Sequence, residues 1–130
     1  MPGEPILIVD DKPENQKLAR VLLRISGYEV ATASNAKEAL SILQTFRPRL
    51  ILMDIQLPDM DGIELTKRIK SEPENSGILV LAVTAYAMKG DREKALSAGC
   101  DGYVTKPIDT EGLPILIRDL LASRPTGLPA

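Results

Sequence analysis

The run Leu50–Asp54 (LILMD) constrains the fold more than any other feature of this 130-residue chain. Four of its five residues are apolar. A continuous apolar run of this length, followed by turn residues, is typical of a strand buried on both faces, as in parallel sheets covered by helices. The run ends on an acid, Asp54, and the next loop contains Pro58 and Gly62. Because open α/β sheets bind ligands at the carboxyl ends of their strands, Asp54 is the first candidate site residue.

Four further runs alternate with this one along the chain. We predict strands at Ile6–Val9, Tyr28–Ala33, Ile78–Val83 and Asp101–Thr105. The segments between the strands repeat apolar residues at helical spacing. Strand–helix alternation of this kind predicts an α/β fold with one doubly wound parallel sheet. A (β/α)8 barrel would need about twice the length. We expect one domain over residues 1–122 and a disordered tail over residues 123–130.

Three details of the predicted helices can be tested against a structure. Asn35 is a candidate N-cap, and Glu38 three residues later completes a capping box. Helix four is expected over Lys89–Ala98, with Leu96 in its apolar stripe. The last helix contains Pro114, which removes a backbone donor, so we expect that helix to begin late or irregularly.

Composition excludes several classes of function. The net charge is −2, which argues against a large basic surface for nucleic acid. No apolar run approaches a membrane span. The absence of histidine excludes a Ser-His-Asp triad and a His-ligated zinc site. The single cysteine, Cys100, cannot form an intrachain disulfide and indicates a reducing, cytoplasmic location. Any metal must therefore be held by oxygen ligands, as magnesium, manganese and calcium are.

Reactive side chains follow four of the predicted strands: Asp10-Asp11, Asp54, Thr84 and Lys106. In a parallel sheet these ends lie at one edge, so the side chains should converge. Three adjacent carboxylates repel one another unless a hard cation such as Mg²⁺ joins them. A metal-bound carboxylate facing a lysine is well placed to receive a phosphoryl group. Taken singly, the acid pair could be an ordinary helix start and Lys106 a surface lysine; their co-occurrence favours a site.

Four segments resemble the receiver domain of two-component response regulators: ILIVDD, LILMDIQLPDMDG, VLAVTAYA and GYVTKP. The resemblance covers about residues 5–122. It implies a flavodoxin-like (βα)5 fold with strand order 2-1-3-4-5. It also implies that Asp54 is the phosphoacceptor.

The resemblance further implies a magnesium site. Asp11 and Asp54 would be direct ligands, the backbone carbonyl of Gln56 a third, and Asp10 would act through a water molecule. Gln56 and Tyr86 lie two residues beyond Asp54 and Thr84, and neither is a strong acid or base. We expect these two side chains to position or shield the water that hydrolyses the phosphoryl group.

The same resemblance implies a switch. Lys106 and Thr84 would bind the phosphoryl group, and Tyr103 would be the aromatic residue that moves with Thr84. Tyr103 could instead be a fixed, half-exposed aromatic on an edge strand. The implied donor is a histidine kinase or histidine phosphotransfer protein. The implied output is a change of affinity for a protein target through helix four, strand five and the last helix, without direct contact to nucleic acid or membrane.

Two other classes of protein were weighed. A haloacid-dehalogenase-type phosphatase or transferase carries D-x-D after its first strand, whereas Asp10 and Asp11 are adjacent. A flavin-binding electron carrier needs a hydroxyl- and glycine-rich loop there, and the carboxylates of DDKPEN would repel its phosphate. The sequence leaves open whether the receiver stands alone or belongs to a hybrid kinase.

Overall fold

A computed structural model describes residues 3–85, 89–106 and 108–123. Strands and helices alternate along the chain. They are β1 (Pro5–Val9), α1 (Pro13–Ile25), β2 (Glu29–Ala33), α2 (Ala36–Ile42), β3 (Leu50–Asp54), α3 (Gly62–Ser71), a 3₁₀ turn (Pro73–Asn75), β4 (Leu79–Thr84), α4 (Asp91–Ser97), β5 (Gly102–Thr105) and α5 (Gly112–Ser123). Within these ranges, no helix has the length and apolar character that crossing a bilayer requires.

The five strands form one parallel sheet in the order β2-β1-β3-β4-β5, which confirms the predicted fold. β3 is the central strand, and every residue of β3 and of β4 is buried. This is the environment that the continuous apolar run predicted. β2 and β5 are the two edge strands and are only partly buried.

Helices cover both faces of the sheet. Because successive side chains of a strand point to opposite faces, neighbouring residues of β3 enter different cores. Ile51 and Met53 pack with Leu65 and Ile69 of α3. Leu50 and Leu52 enter the other core, whose helical members are Ala19, Leu23, Leu113, Ile117 and Leu121 from α1 and α5.

The last helix corrects one expectation. α5 begins at Gly112, before Pro114, so a late start is wrong; an irregular start, the other form of the expectation, stays a prediction. Pro114 is the third residue of the helix, and the first four N–H groups of a helix have no acceptor within it. The missing donor therefore costs no helical hydrogen bond. α5 includes Ser123, one residue past the predicted domain end, and residues 124–130 lie outside the described part of the chain.

α4 is shorter than predicted and is the least buried helix of the described chain. It spans Asp91–Ser97, and Ala95 is its single buried residue. Leu96, which we placed in its apolar stripe, is 44% exposed. Little apolar burial holds α4 to the sheet, which is typical of a segment that moves at low free-energy cost.

Candidate functional site

The sheet brings the predicted site residues to its carboxyl edge. Asp10 directly follows β1, Asp54 ends β3, Thr84 ends β4 and Lys106 directly follows β5. Asp54 pairs in register with Val83, one residue before Thr84. The backbone N–H of Lys106 donates to the Thr84 carbonyl at 2.7 Å, so strand pairing continues up to the lysine.

Three carboxylates meet at this edge. One oxygen from each of Asp10, Asp11 and Asp54 lies within 4.8 Å of the other two. Asp10 and Asp54 are buried, with 6% and 3% of their surface exposed, and Asp11 is exposed. The Lys106 ammonium donates to Asp10 Oδ2 at 3.0 Å and to Asp54 Oδ2 at 3.4 Å. Three carboxylates thus face one ammonium, which leaves a deficit of positive charge.

The buried surroundings shift the pKa of two of these groups. Burial raises the pKa of Asp54, and the charge of Asp10 adds to this effect. The Gln56 N–H and the Lys106 ammonium oppose it without cancelling it. Burial lowers the pKa of Lys106. The hydrogen bond to Asp10 and the charges of Asp10 and Asp54 raise this pKa by more, so the net shift is upward. Lys106 is therefore a permanent cation at neutral pH.

The loop after Asp54 is shaped by a close approach of two backbone segments. The Gln56 N–H donates to Asp54 Oδ1 at 3.0 Å, and the Gly62 N–H donates to the Ile55 carbonyl at 2.7 Å. A Cβ atom at Gly62 would collide with the Asp54 carbonyl oxygen, so only glycine fits this position. Asp61 caps α3 by accepting from the Ile63 N–H at 2.7 Å. The turn residues of the sequence thus fold the loop back onto Asp54.

Gln16, on the first turns of α1, is a residue that the sequence analysis missed. Its side-chain amide donates to the Asp10 carbonyl, to the Ala33 carbonyl at 3.2 Å and to Ser34 Oγ at 3.1 Å. The side chain therefore joins the loop after β1 to the loop after β2. No residue type or spacing in the sequence predicts this contact, because it depends on the β1–β2 pairing.

Asp59, in the loop after β3, is the second missed residue. Its carboxylate accepts from the N–H groups of Ala36 at 2.9 Å and Lys37 at 3.1 Å, at the start of α2. These hydrogen bonds, that of Ala36 first, hold the pKa of Asp59 below its ordinary value. Asn35 caps α2 as predicted, accepting from the Glu38 N–H at 2.8 Å.

The predicted capping box differs in one detail. Glu38 Oε1 accepts from the backbone N–H of Ser34 at 2.7 Å, one residue before the N-cap at Asn35. The reciprocal pair is therefore displaced by one residue, and it fixes the turn that leads into α2.

Thr84 and Tyr103 lie on adjacent strands. Thr84 is 1% exposed at the end of β4. Tyr103 is half-buried on β5 and packs against the core beneath α3 and α4. Its hydroxyl is buried and has no hydrogen-bond partner within the described residues. Burial raises the pKa of Tyr103, and Asp91 adds to the shift. Tyr86 lies outside the described residues.

The residues at the acid cluster fit a magnesium ion. Asp10, Asp11 and Asp54 offer oxygen donors alone, close enough together to share one cation. Mg²⁺ prefers a few carboxylates and completes its octahedron with water, and the exposed Asp11 leaves the cluster open to solvent. Soft metals would favour thiolate or imidazole ligands, and this chain has one buried thiol and no histidine.

Comparison with known proteins defines the family. The sequence profile of the response regulator receiver domain matches residues 6–118. The polar-differentiation response regulator DivK of Brucella anthropi is 50% identical over 103 residues, which are 79% of this chain and 84% of that protein. DivK of Brucella ovis is 48% identical over the same coverage.

Solved structures agree with this result. A CheY-like receiver domain protein from Methanospirillum hungatei superposes with a TM-score of 0.88 at 34% identity, covering 94% of this chain and 96% of that one. The receiver domain of a histidine kinase from Syntrophus aciditrophicus gives 0.86 at 30% identity and covers 98% of both chains.

The chain belongs to the response regulator receiver domain family. It is a phosphoacceptor switch of two-component signalling, as its similarity to DivK and to CheY-like receivers indicates. This assignment confirms the recognised resemblance and removes the dehalogenase-type and flavin-binding alternatives.

Proposed function

We propose that Asp54 accepts a phosphoryl group from a phosphohistidine on a partner protein, and that Asp10, Asp11 and Asp54 bind Mg²⁺ for this step. The observation that carries the proposal is the convergence of three carboxylates and Lys106 at one sheet edge. In the proposal, Asp11 and Asp54 are direct ligands together with the Gln56 carbonyl, and Asp10 acts through water. Bound there, Mg²⁺ would neutralise charge on the transferred phosphoryl oxygens.

The protein's own groups have distinct tasks in the transfer. Asp54 supplies the attacking carboxylate oxygen, and its Oδ1 is held by the Gln56 N–H. Lys106 donates to a phosphoryl oxygen as the charge of the group develops, and this charge-assisted bond is stronger than a neutral one. The Thr84 hydroxyl, at the neighbouring strand end, donates to another phosphoryl oxygen.

Phosphorylation of the intact protein tests this proposal. With Mg²⁺ and acetyl phosphate, mass spectrometry should show one added phosphoryl group on the wild type and none on Asp54→Asn. Asp101→Asn is the matched control, since Asp101 also lies beside a strand and pairs with a lysine. It should be phosphorylated like the wild type. Equal incorporation by wild type and Asp54→Asn would contradict the assignment.

An apolar stripe on α1 favours a protein as the phosphoryl donor. Leu18, Val21 and Ile25 follow one another at helical spacing and are 39%, 45% and 79% exposed. α1 begins two residues after Asp11, so a phosphohistidine-bearing protein docked on this stripe would lie beside the acid cluster. Exposed apolar patches of this kind mark interaction sites.

A donor comparison tests the stripe. Leu18→Ser with Ile25→Ser should slow transfer from a phosphorylated protein donor and leave transfer from acetyl phosphate unchanged. Leu96→Ser, at a 44% exposed residue of α4, is the control and should change neither rate. Equal slowing with both donors would show that the stripe does not dock the donor.

We further propose that phosphorylation is read at the face formed by α4, β5 and α5. When the Thr84 hydroxyl moves toward the phosphoryl group, Tyr103 can rotate beside it. The buried, unpartnered Tyr103 hydroxyl shows that its present position is not fixed by a hydrogen bond to the described residues. A free-energy difference of a few kcal/mol between the two arrangements is sufficient for such a switch.

Amide NMR of the free and beryllofluoride-bound protein tests this output face. Shifts should extend through residues 89–106, with Tyr103 among the largest. Changes confined to the loops around Asp54 would show that Tyr103 is a fixed aromatic residue.

The phosphoryl lifetime is proposed to depend on Gln56. This side chain is exposed two residues beyond Asp54 and can position or shield the hydrolytic water. Gln56→Ala should change the autodephosphorylation rate, and an unchanged rate would exclude this role.

A further inference from the structure

We infer that Gln16 and Asp59 are positioning residues for the acid cluster, and that both act through residues 33–37, the segment that runs from the end of β2 to the start of α2. This segment carries none of the proposed Mg²⁺ ligands. It accepts hydrogen bonds from Gln16 and from the Asp10 N–H, and it donates hydrogen bonds to Asp59, in the loop that carries Gln56. The inference rests on the proposed magnesium site and assigns roles to two residues outside it.

Gln16 acts on the loop after β1. Its amide donates to the carbonyl of Asp10, which belongs to the peptide that joins Asp10 to Asp11. Fixing that carbonyl fixes the plane of the peptide and so the direction in which the exposed Asp11 leaves the strand. The same amide reaches Ala33 and Ser34, and the Asp10 N–H donates to the Ala33 carbonyl at 3.0 Å.

Asp59 acts on the loop after β3. It lies between Gln56 and Asp61, two residues that form an isolated antiparallel bridge, so its anchoring restrains the backbone that carries Gln56. The anchor is a pair of hydrogen bonds from Ala36 and Lys37, at distances of 2.9 and 3.1 Å. Hydrogen bonds from backbone N–H groups to a carboxylate are charge-assisted and short.

The two contacts together set the separation of the loop after β1, which carries Asp11, from the loop after β3, which carries Gln56. Three neighbouring carboxylates repel one another, and without restraint the loops after β1 and β3 would move apart. Mg²⁺ demands near-ideal octahedral geometry, so a small spread of its ligands weakens binding. Residues that orient metal ligands without touching the metal typically change affinity by about 10- to 100-fold when they are replaced.

A magnesium titration followed by amide NMR tests the inference. Gln16→Met keeps the size of the side chain and removes its donor; Asp59→Ala removes both acceptors. Each should weaken Mg²⁺ binding by about tenfold. Asp59→Asn removes the charge but keeps one acceptor oxygen, so this variant should bind Mg²⁺ more tightly than Asp59→Ala does. In the metal-free protein, Asp59→Ala should speed hydrogen exchange at the amides of Ala36 and Lys37.

Asn35→Ala separates positioning from helix stability. It removes the α2 cap on the Glu38 N–H and none of the hydrogen bonds made by Gln16 or Asp59. It should lower the melting temperature as Asp59→Ala does and leave Mg²⁺ affinity near that of the wild type. Wild-type affinity in both Gln16→Met and Asp59→Ala, or an equal loss in Asn35→Ala, would overturn the inference.

Asp11→Ala distinguishes failure of the inference from failure of the site. If Asp11→Ala binds Mg²⁺ as the wild type does, the proposed metal site is wrong and the inference falls with it. If Asp11→Ala loses affinity while the Gln16 and Asp59 variants keep it, only the positioning role is wrong.

Discussion

The amino and carboxyl ends of the strands form two edges of the sheet, and the ratio of acids to bases differs between them. At the amino edge, acids and bases meet in pairs. Arg49 contacts Glu4 at 2.6 Å, and Lys70 contacts Asp101 at 3.1 Å. These pairs also satisfy backbone groups: Arg49 donates to the Leu121 carbonyl, and Asp101 accepts from a strand N–H. The amino edge thus ties α3 and α5 to the sheet.

At the carboxyl edge, the cluster contains three carboxylates and one ammonium. The carboxylates belong to Asp10, Asp11 and Asp54, and the ammonium belongs to Lys106. Burial raises the pKa of Asp54, which shows that its charged form is less favourable here than in water. Acidic and basic residues therefore have different roles at the two edges. Paired charges at one edge hold the fold together, whereas excess carboxylates at the other favour the binding of a cation.

The largest expected difference between the edges is in reactivity. Lys106→Met should slow phosphorylation of Asp54 by acetyl phosphate about 100-fold, because one preorganised donor to the developing charge is lost. Lys70→Met removes the same charge at the amino edge and should leave the rate near that of the wild type. Comparable slowing in both variants, measured by mass spectrometry over time, would show that the edges do not differ as described.

The free energy of unfolding should depend on the paired charges of the amino edge. Asp101→Asn should lower the free energy of unfolding by about 2 kcal/mol, because a largely buried charge pair is broken. Urea denaturation measures this loss. Asp119→Asn is the control: its contact with Arg118 is 3.6 Å long between side chains 66% and 70% exposed. Such a pair contributes little, so a loss as large as that of Asp101→Asn would contradict this assignment.

The smallest effect concerns Asp59, which lies near the carboxyl edge but is satisfied by two N–H groups. Its folded pKa is lowered, so it stabilises the fold above its unfolded pKa, and this contribution is lost as pH falls through the folded pKa. Carboxyl NMR titration should give a midpoint below that of the same residue in the urea-unfolded chain. An equal or higher midpoint would show that Ala36 and Lys37 do not hold the carboxylate.

Much of the site could be predicted from sequence because its residues follow apolar runs. A buried strand fixes where its last residue lies, and parallel pairing brings Asp10, Asp54, Thr84 and Lys106 to one edge. The α2 cap was predictable for a similar local reason, because it depends on neighbouring residues in the chain. The strand order was instead implied by the resemblance to receiver domains.

Contacts between distant loops could not be predicted. Gln16 meets Ser34, and Asp59 meets Ala36, only after the strands have paired, and no periodic pattern marks such polar contacts. Pro114 was misjudged because its effect depends on where α5 begins. Within the first turn its missing donor is harmless, and the sequence alone did not locate that turn.

The central claim is that the carboxyl edge holds more negative than positive charge. The melting temperature with and without Mg²⁺, at constant ionic strength, tests this claim most directly. In the wild type, Mg²⁺ at 100 times its dissociation constant should stabilise the fold by about 2.7 kcal/mol. Without Mg²⁺, Asp54→Asn should melt above the wild type, because a carboxylate with a raised pKa destabilises the fold at neutral pH. Asp54→Asn should also lose most of the Mg²⁺ effect. A lower melting temperature for metal-free Asp54→Asn, or an undiminished response to Mg²⁺, would contradict the account.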